Sequence, residues 1–199
     1  MNQYFIFLPV IAILISFIQC SSLQKTDSGV AFVTVEQWGG ERFTGEYQEH
    51  ELVYITLHHG GVPFLIDADP GEYLRNLQTW SRTDRGWIDI PYHYLIDLEG
   101  RIYEGRDIRY AGDTNTDYDP TGHALVCVLG NYEEVEPNEV QLQAIADLFA
   151  WICETYSIAP ETLKGHKDYV PDTVCPGHKL YTYLENGMLV ERVKANMMR

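Results

Sequence analysis

The sequence predicts an α/β fold, with a single domain in which helices flank a central mixed β-sheet. Two observations lead to this prediction. Residues 52–57 and 124–130 are continuous apolar runs of strand length, as expected of strands buried on both faces of a sheet. After Asn138, by contrast, apolar residues recur every three or four positions, which is the period of a helix. Strands that alternate with helices are typical of a sheet covered by helices.

The first half of the chain supplies two strands and a helix. Residues 30–35 are rich in β-branched side chains and predict an opening strand, which the buried strand over 52–57 follows. The run Asp69-Pro70-Gly71-Glu72 then places an N-cap residue, a proline and an acidic residue in the order that begins a helix. We expect this helix to end at about Arg82.

The second half begins with a hairpin. Residues 92–97 and 101–104 flank a turn at Glu99-Gly100, and this arrangement predicts two antiparallel strands. The second buried strand follows. Asn138 and Gln141 then have the spacing of a helix-capping pair. The apolar positions of the predicted helix are Ile145, Leu148, Phe149, Ile152 and Tyr156.

Composition excludes several classes of protein. The 199 residues include 29 acidic and 14 basic side chains, which give a formal net charge of −15. Nucleic-acid binding needs a basic face that releases counterions, so we expect no nucleic-acid partner. Because 45% of the residues are hydrophobic, the chain is also too apolar to be disordered. We expect a folded monomer.

The N-terminus carries an uncharged apolar run over residues 5–18. As a helix this run would be about 21 Å long, which is shorter than the hydrocarbon layer of a bilayer. Small polar residues follow it, and we therefore predict a secretory signal peptide over residues 1–19. An uncleaved membrane anchor is the alternative.

Cys20 directly follows this leader. It lies where a bacterial lipoprotein carries its lipid-modified cysteine, so lipid attachment and ordinary cleavage are both open. Either outcome predicts an exported chain, which would be a periplasmic protein, an outer-membrane lipoprotein or a secreted protein. It would contact the membrane only through a lipid on Cys20. Residues 20–29 are a polar tether, and residues 30–199 form the folded domain.

Three residues suggest a metal site at the ends of strands, in a surface groove. His58 follows the first buried run, and His166 and Cys175 lie close together much farther along the chain. Two imidazoles and one thiolate suit a Zn²⁺ ion, and they leave its fourth position for a water molecule. The three ligands come from distant segments, so spacing alone leaves coincidence open.

The remaining histidines and cysteines have simpler interpretations. Isolated histidines are usually surface residues or partners of another functional residue. Cysteines in a strand or a helix are usually small core residues, although two of them could form a disulfide in an exported protein. We assign the first role to His50, His93, His123 and His178, and the second to Cys127 and Cys153.

Five motifs occur in the order in which a known family carries them. They are 55–59 (ITLHH), 87–96 (WIDIPYHYLI), 100–106 (GRIYEGR), 129–132 (LGNY), and 165–168 (GHKD) with 173–177 (TVCPG). Together they resemble the type 2 N-acetylmuramoyl-L-alanine amidase family, which includes peptidoglycan recognition proteins and phage lysozymes of the amidase type. The resemblance covers about residues 30–185.

The resemblance implies a zinc enzyme that hydrolyses the amide between N-acetylmuramic acid and L-alanine in peptidoglycan or its fragments. His58, His166 and Cys175 match the family's zinc ligands, and Tyr92 matches its catalytic tyrosine. Thr173 lies where relatives carry a lysine or a threonine, and we expect it to act with Tyr92. Relatives that bind peptidoglycan without cutting it typically have serine in place of the cysteine, so Cys175 favours an active enzyme.

Two departures from the family pattern leave the general base unassigned. No carboxylate occurs at 126–128, where some relatives have a glutamate. Residues 110–114 lack a histidine that relatives often have there.

Two other functions stay open. A binding module would hold peptidoglycan in the same groove without cutting it. A metal-free hydrolase would use Cys175 as nucleophile and His166 as its base. Trp80 and Trp87 are candidates for lining the glycan groove, although most such aromatic residues belong to the core.

Overall fold

The computed structural model describes residues 24–25 and 29–198. The predicted signal peptide and Cys20 lie outside these residues. Within the described residues, seven strands form one mixed sheet. They are β1 (Gln24–Lys25), β2 (Ala31–Val33), β3 (Tyr54–His59), β4 (Tyr94–Ile96), β5 (Ile102–Glu104), β6 (His123–Val128) and β7 (Leu163–Gly165). The predicted α/β fold with a central mixed sheet is confirmed.

The order of strands in the sheet brings distant parts of the chain to one edge. The order is β1-β2-β5-β4-β6-β3-β7. β3 runs parallel to both β6 and β7, whereas β4 and β5 form the predicted antiparallel hairpin. Parallel strands end at the same edge of a sheet. His58, near the end of β3, therefore lies beside His166, the first residue after β7.

The described part of the chain contains four α-helices. They are α1 (Pro70–Thr83), α2 (Glu139–Tyr156), α3 (His178–Glu185) and α4 (Met188–Met197). Both predicted helix starts are confirmed. The Asp69 carboxylate accepts a hydrogen bond from the Gly71 amide, and Asn138 forms a capping box with Gln141. These caps satisfy amides that have no partner within the helix.

The two faces of β6 belong to two separate parts of the core. Val126 packs in the cluster that contains Phe149 of α2. Cys127 points to the opposite face and packs in the cluster that contains Leu74 of α1. Burial on both faces explains why the sequence of this strand is apolar at every position. Cys127 and Cys153 are buried and unbridged, as the core interpretation predicts.

The strand boundaries differ from the predicted ones by about two residues. β2 ends at Val33 because the amides of Gln37 and Trp38 donate to the carbonyl oxygen of Thr34 and form a turn. β3 begins and ends two residues later than predicted, so His58 lies inside the strand rather than after it. β7, α3 and α4 were not predicted. Among the described residues, no helix combines the length and apolar character needed to cross a membrane.

Candidate active site

The candidate site begins at the end of β3. His58 is buried, and it pairs in register with Cys127 on β6. The backbone amide of the next residue, His59, donates to Cys175 Sγ over 3.4 Å. The end of β3 is thereby joined to a loop that lies 116 positions farther along the chain.

His166 begins a short 3₁₀ helix directly after β7. The carboxylate of Asp168 accepts a hydrogen bond from the Gly165 amide over 2.8 Å and so holds this turn. The amide of Lys167 donates to the carbonyl oxygen of Cys175 over 2.9 Å. Local backbone contacts therefore fix His166 and Cys175 relative to each other.

His58, His166 and Cys175 come together in the folded chain. Each offers one ligand atom, and these three atoms lie within 4.8 Å of one another. Cys175 Sγ is 3.5 Å from His58 Nδ1. Zinc bonds of about 2.3 Å to sulfur and 2.0 Å to nitrogen place two ligands of a tetrahedral ion roughly 3.5 Å apart, so this pair fits Zn²⁺. The donor set lacks the oxygen ligands that Mg²⁺ and Ca²⁺ prefer.

Burial determines the protonation of these three residues. It lowers the pKa of His58 well below 6.5, and the neighbouring His166 lowers that pKa further. Burial also lowers the pKa of His166 to about 4 and raises the pKa of the Cys175 thiol to about 12. Both imidazoles are therefore neutral at neutral pH and keep a lone pair for a metal. The thiol needs a nearby dication to become a thiolate.

The three residues line a cleft of about 320 Å³, and Tyr92 lines it too. The ring centroids of Tyr92 and His58 are 5.2 Å apart. Burial raises the pKa of the Tyr92 hydroxyl well above 10. Tyr92 therefore keeps its proton and can act as a hydrogen-bond donor.

Thr173 lines the same cleft, two residues before Cys175. Its hydroxyl oxygen accepts a hydrogen bond from the Cys175 amide over 3.2 Å. A hydroxyl that accepts from a backbone amide still has its own proton to donate. The structure thus brings Tyr92 and Thr173 into one cleft with the three possible metal ligands.

The tryptophans that were candidates for a groove wall also line the cleft. The rings of Trp80 and Trp87 meet edge to face, with centroids 5.6 Å apart. The Arg85 guanidinium lies over the Trp87 ring at 5.1 Å. Trp80 is 38% exposed, so its ring is accessible at the rim of the cleft.

His93 is buried and does not line the cleft. Its Nδ1 accepts a hydrogen bond from the Leu125 amide over 2.8 Å, and its Nε2 donates to the Tyr110 carbonyl oxygen over 2.9 Å. Burial lowers the pKa of His93 to about 3. A neutral histidine with both nitrogens bonded to the backbone supports the fold. His123 is also buried, and its Nδ1 is hydrogen-bonded with the hydroxyl of Thr56 over 2.8 Å.

Thr116 is a residue of the site that sequence analysis missed. Its Oγ1 lies 2.7 Å from His166 Nε2, and the same oxygen lies 2.7 Å from Thr114 Oγ1. Thr114 lies within residues 110–114, where relatives often have a histidine, and Thr116 follows two residues later. The contact joins positions 50 residues apart, so no local pattern in the sequence indicates it.

Fold and site together define an α/β protein with a His-His-Cys group that could hold a metal ion beside the ends of parallel strands. Residues 48–178 match the Amidase_2 family model, whose description is N-acetylmuramoyl-L-alanine amidase. The chain belongs to this family, as its motifs predicted.

Similar proteins include an amidase and several peptidoglycan recognition proteins. Peptidoglycan recognition protein 1 of Mus musculus is 29% identical over 140 residues, which are 69% of this chain and 76% of the mouse protein. An N-acetylmuramoyl-L-alanine amidase of Sus scrofa is 29% identical over 155 residues, which are 74% of this chain but 26% of the pig protein. The crystal structure of Drosophila peptidoglycan recognition protein SD matches with a TM-score of 0.69 and 28% identity, over 78% of this chain and 94% of that one.

Proposed function

We propose that this protein is a zinc-dependent N-acetylmuramoyl-L-alanine amidase. It hydrolyses the amide between the lactyl group of N-acetylmuramic acid and L-alanine, in peptidoglycan or its fragments. One observation carries the proposal: the group of His58, His166 and Cys175 is complete, and it lies in a cleft with Tyr92 and Thr173. The resemblance links loss of that cysteine to relatives that bind without cutting.

The comparisons with known proteins support this activity and substrate. The family description and the name of the pig relative are both those of the amidase. The mouse relative and the Drosophila structure carry the name of peptidoglycan recognition proteins, and this name supports peptidoglycan as the partner.

His58, His166 and Cys175 would hold the zinc ion through two neutral nitrogens and one thiolate. When bound, Zn²⁺ supplies a Lewis acid that lowers the pKa of a water ligand and polarises the scissile carbonyl. The His59 amide already donates to Cys175 Sγ, and it would stabilise the thiolate by a charge-assisted hydrogen bond.

Tyr92 and Thr173 would act on the substrate. Amide hydrolysis develops negative charge on the carbonyl oxygen, and hydrogen-bond donors already fixed in the folded protein stabilise this charge. The Tyr92 ring packs against the His58 ring, and the Thr173 hydroxyl accepts a hydrogen bond from the Cys175 amide. Both donors are therefore preorganised next to the candidate metal ligands.

Substrate binding would rest on contacts in the cleft rather than on charge. The net charge of −15 gives no long-range attraction to anionic cell-wall polymers. Trp80 and Trp87 offer apolar faces of the kind on which sugar rings and peptide side chains pack.

The metal-free thiol hydrolase is the less favourable alternative. The imidazole nitrogen that contacts Cys175 Sγ is Nδ1 of His58 rather than a nitrogen of His166. Burial also raises the pKa of the thiol, whereas a nucleophilic cysteine needs a lowered pKa.

Mass spectrometry of peptidoglycan digests tests the proposal. Purified protein is incubated with peptidoglycan, with and without a zinc chelator, and the products are compared. We expect stem peptides with a free amino group on L-alanine, formed only without the chelator. Turnover that resists the chelator would favour the thiol hydrolase, and binding without new amino groups would favour the binding module.

We further propose that the chain is exported by means of the apolar leader over residues 5–18. Expression of the full chain in a secreting host, followed by mass spectrometry of the mature N-terminus, tests this proposal. A mature chain that begins at Cys20 supports cleavage after residue 19, and added lipid mass on Cys20 supports the lipoprotein form. An intact Met1 would contradict both.

A further inference from the structure

The hydroxyl groups of Thr116 and Thr114 form a short hydrogen-bonded series that begins at His166, a candidate metal ligand. His166 Nε2 lies 2.7 Å from Thr116 Oγ1, and Thr116 Oγ1 lies 2.7 Å from Thr114 Oγ1. The backbone amide of Thr116 also donates to Thr114 Oγ1, over 3.1 Å. One short contact therefore joins the imidazole to the loop, and two contacts within the loop hold the Thr116 hydroxyl in place.

The hydrogen bonds that link His166, Thr116 and Thr114 can all be donated in the same direction, away from the imidazole. If Nδ1 of His166 binds a metal, Nε2 must carry the ring proton and donate it to Thr116. The Thr116 hydroxyl then donates to Thr114, whose oxygen also accepts from the Thr116 amide. This direction fixes one tautomer of His166 and leaves the Nδ1 lone pair free to bind a metal.

The loop that carries the threonines is anchored by a buried cation. Arg106 is buried, and its guanidinium donates to the carbonyl oxygens of Ile90 and Ala111 over 3.0 and 2.5 Å. It also pairs with the carboxylate of Asp113, which immediately precedes Thr114. The backbone on both sides of Gly112 is thus fixed, and Thr116 is held in place against His166.

The other imidazole of the site has no comparable support. His58 Nε2 is buried without a hydrogen-bond partner among the described residues. His58 is oriented instead by its place in β3 and by the ring of Tyr92. Among the described residues, a hydrogen bond to Nε2 therefore orients the ring of His166 but not that of His58.

We infer that Thr116 is a positioning residue for His166, that Thr114 completes its hydrogen bonding, and that the Arg106–Asp113 pair anchors the loop. The inference rests on the proposed metal site. Outer partners of this kind set the tautomer and the ring orientation of a ligating histidine, and their removal typically weakens metal binding by about 10–100-fold.

The test measures zinc affinity of the metal-freed chain by competition with a chromophoric chelator. Thr116→Val keeps the size of the side chain but removes the hydroxyl, and we expect zinc affinity to fall by about 10–100-fold. Thr116→Ser keeps the hydroxyl and should restore affinity close to that of the unmodified chain. Cobalt substitution gives a second readout, since a misoriented imidazole changes the visible absorption bands of the Co²⁺ form.

Asp113→Asn provides an independent variant, because it weakens the anchor without touching His166. We expect an intermediate loss of zinc affinity and circular dichroism like that of the unmodified chain. Unchanged affinity in both Thr116→Val and Asp113→Asn would overturn the inference while leaving the metal site intact. An unmodified chain that binds no zinc would instead contradict the proposed function itself.

Discussion

Cys175 Sγ lies 3.5 Å from His58 Nδ1, although 117 positions separate the two residues. The contact exists because β3 and β7 run parallel and end at the same edge of the sheet. The turn after β7 then brings Cys175 back, through the hydrogen bond from the Lys167 amide. The sheet topology therefore assembles the site, and side chains on three separate segments complete it.

Replacing Cys175 with serine should abolish zinc retention and turnover, because a neutral hydroxyl is a much weaker zinc ligand than a thiolate. Binding to peptidoglycan should remain, since the rest of the cleft is unchanged. Metal analysis of the purified variant and pull-down with insoluble peptidoglycan check both parts.

Cys153→Ser is the matched control, because Cys153 is buried in the cluster on the α2 face of the sheet, away from the site. It should keep its zinc and its activity. Full turnover by Cys175→Ser would refute the assignment of Cys175 as a ligand.

Replacing Tyr92 with phenylalanine should lower kcat by about 10²–10³-fold, the usual effect of losing one donor to a developing oxyanion. Zinc content should not change, because Tyr92 is not a ligand in this account. Steady-state kinetics with a soluble muropeptide separate kcat from KM. Tyr94→Phe is the control, since Tyr94 packs in the cluster that contains α2. Equal kcat values for the two variants would contradict the role of Tyr92.

Thr173→Val should lower kcat, and Thr173→Ser should retain most of it. The valine removes the hydroxyl that accepts from the Cys175 amide and that would donate to the substrate. We expect a loss of about 10²–10³-fold, the typical effect of removing one oxyanion donor. Metal analysis of both variants accompanies the kinetics. A serine variant as inactive as the valine variant would show that the methyl group, rather than the hydroxyl, matters.

Because buried His93 has a lowered pKa, we expect the free energy of unfolding to fall in acid. Its pKa is about 3 in the folded chain and 6.5 in its ordinary state. The unfolded chain therefore takes up a proton below about pH 6.5, whereas the folded chain does not until about pH 3. The stabilisation that neutral His93 gives the folded chain is fully present above about pH 6.5. It declines as the pH falls, by up to about 1.4 kcal/mol per pH unit.

Urea unfolding at about pH 7 and about pH 5 measures this effect. In His93→Gln the amide can still accept from Leu125 and donate to Tyr110, but it cannot titrate. The nearby His50, Arg106 and Asp107 remain in both proteins. We expect the free energy of unfolding to fall less steeply with pH in the variant. Identical slopes would mean that His93 does not contribute.

Local signals in the sequence predicted the local features of the fold. Asp69 and Asn138 were identified as helix caps because their hydrogen bonds reach only two or three residues along the chain. The hairpin over 92–104 was likewise predicted from neighbouring residues. Strand β7 was missed because its three residues, Leu163–Gly165, have no distinctive pattern and depend on pairing with β3.

The sequence predicted the candidate metal ligands of the site but not the residue that supports one of them. Residue type first suggested the zinc-ligand candidates His58, His166 and Cys175, and motif resemblance then supported them. The structure brings their ligand atoms together. Thr116 could not be identified in this way, because its hydrogen bond to His166 joins segments 50 positions apart in a region that departs from the family pattern. A contact that depends on how two loops meet in the fold leaves no pattern in the residues of either loop.

Zinc reconstitution shows directly whether amide hydrolysis by this protein depends on the metal. The purified chain is freed of metal, zinc is added back in steps, and the release of amino groups on L-alanine from a defined muropeptide is followed. We expect no release by the metal-free chain and full release at one zinc ion per chain, with Cys175→Ser inactive throughout. Release by the metal-free chain, or none at any zinc concentration, would refute a zinc-dependent amidase.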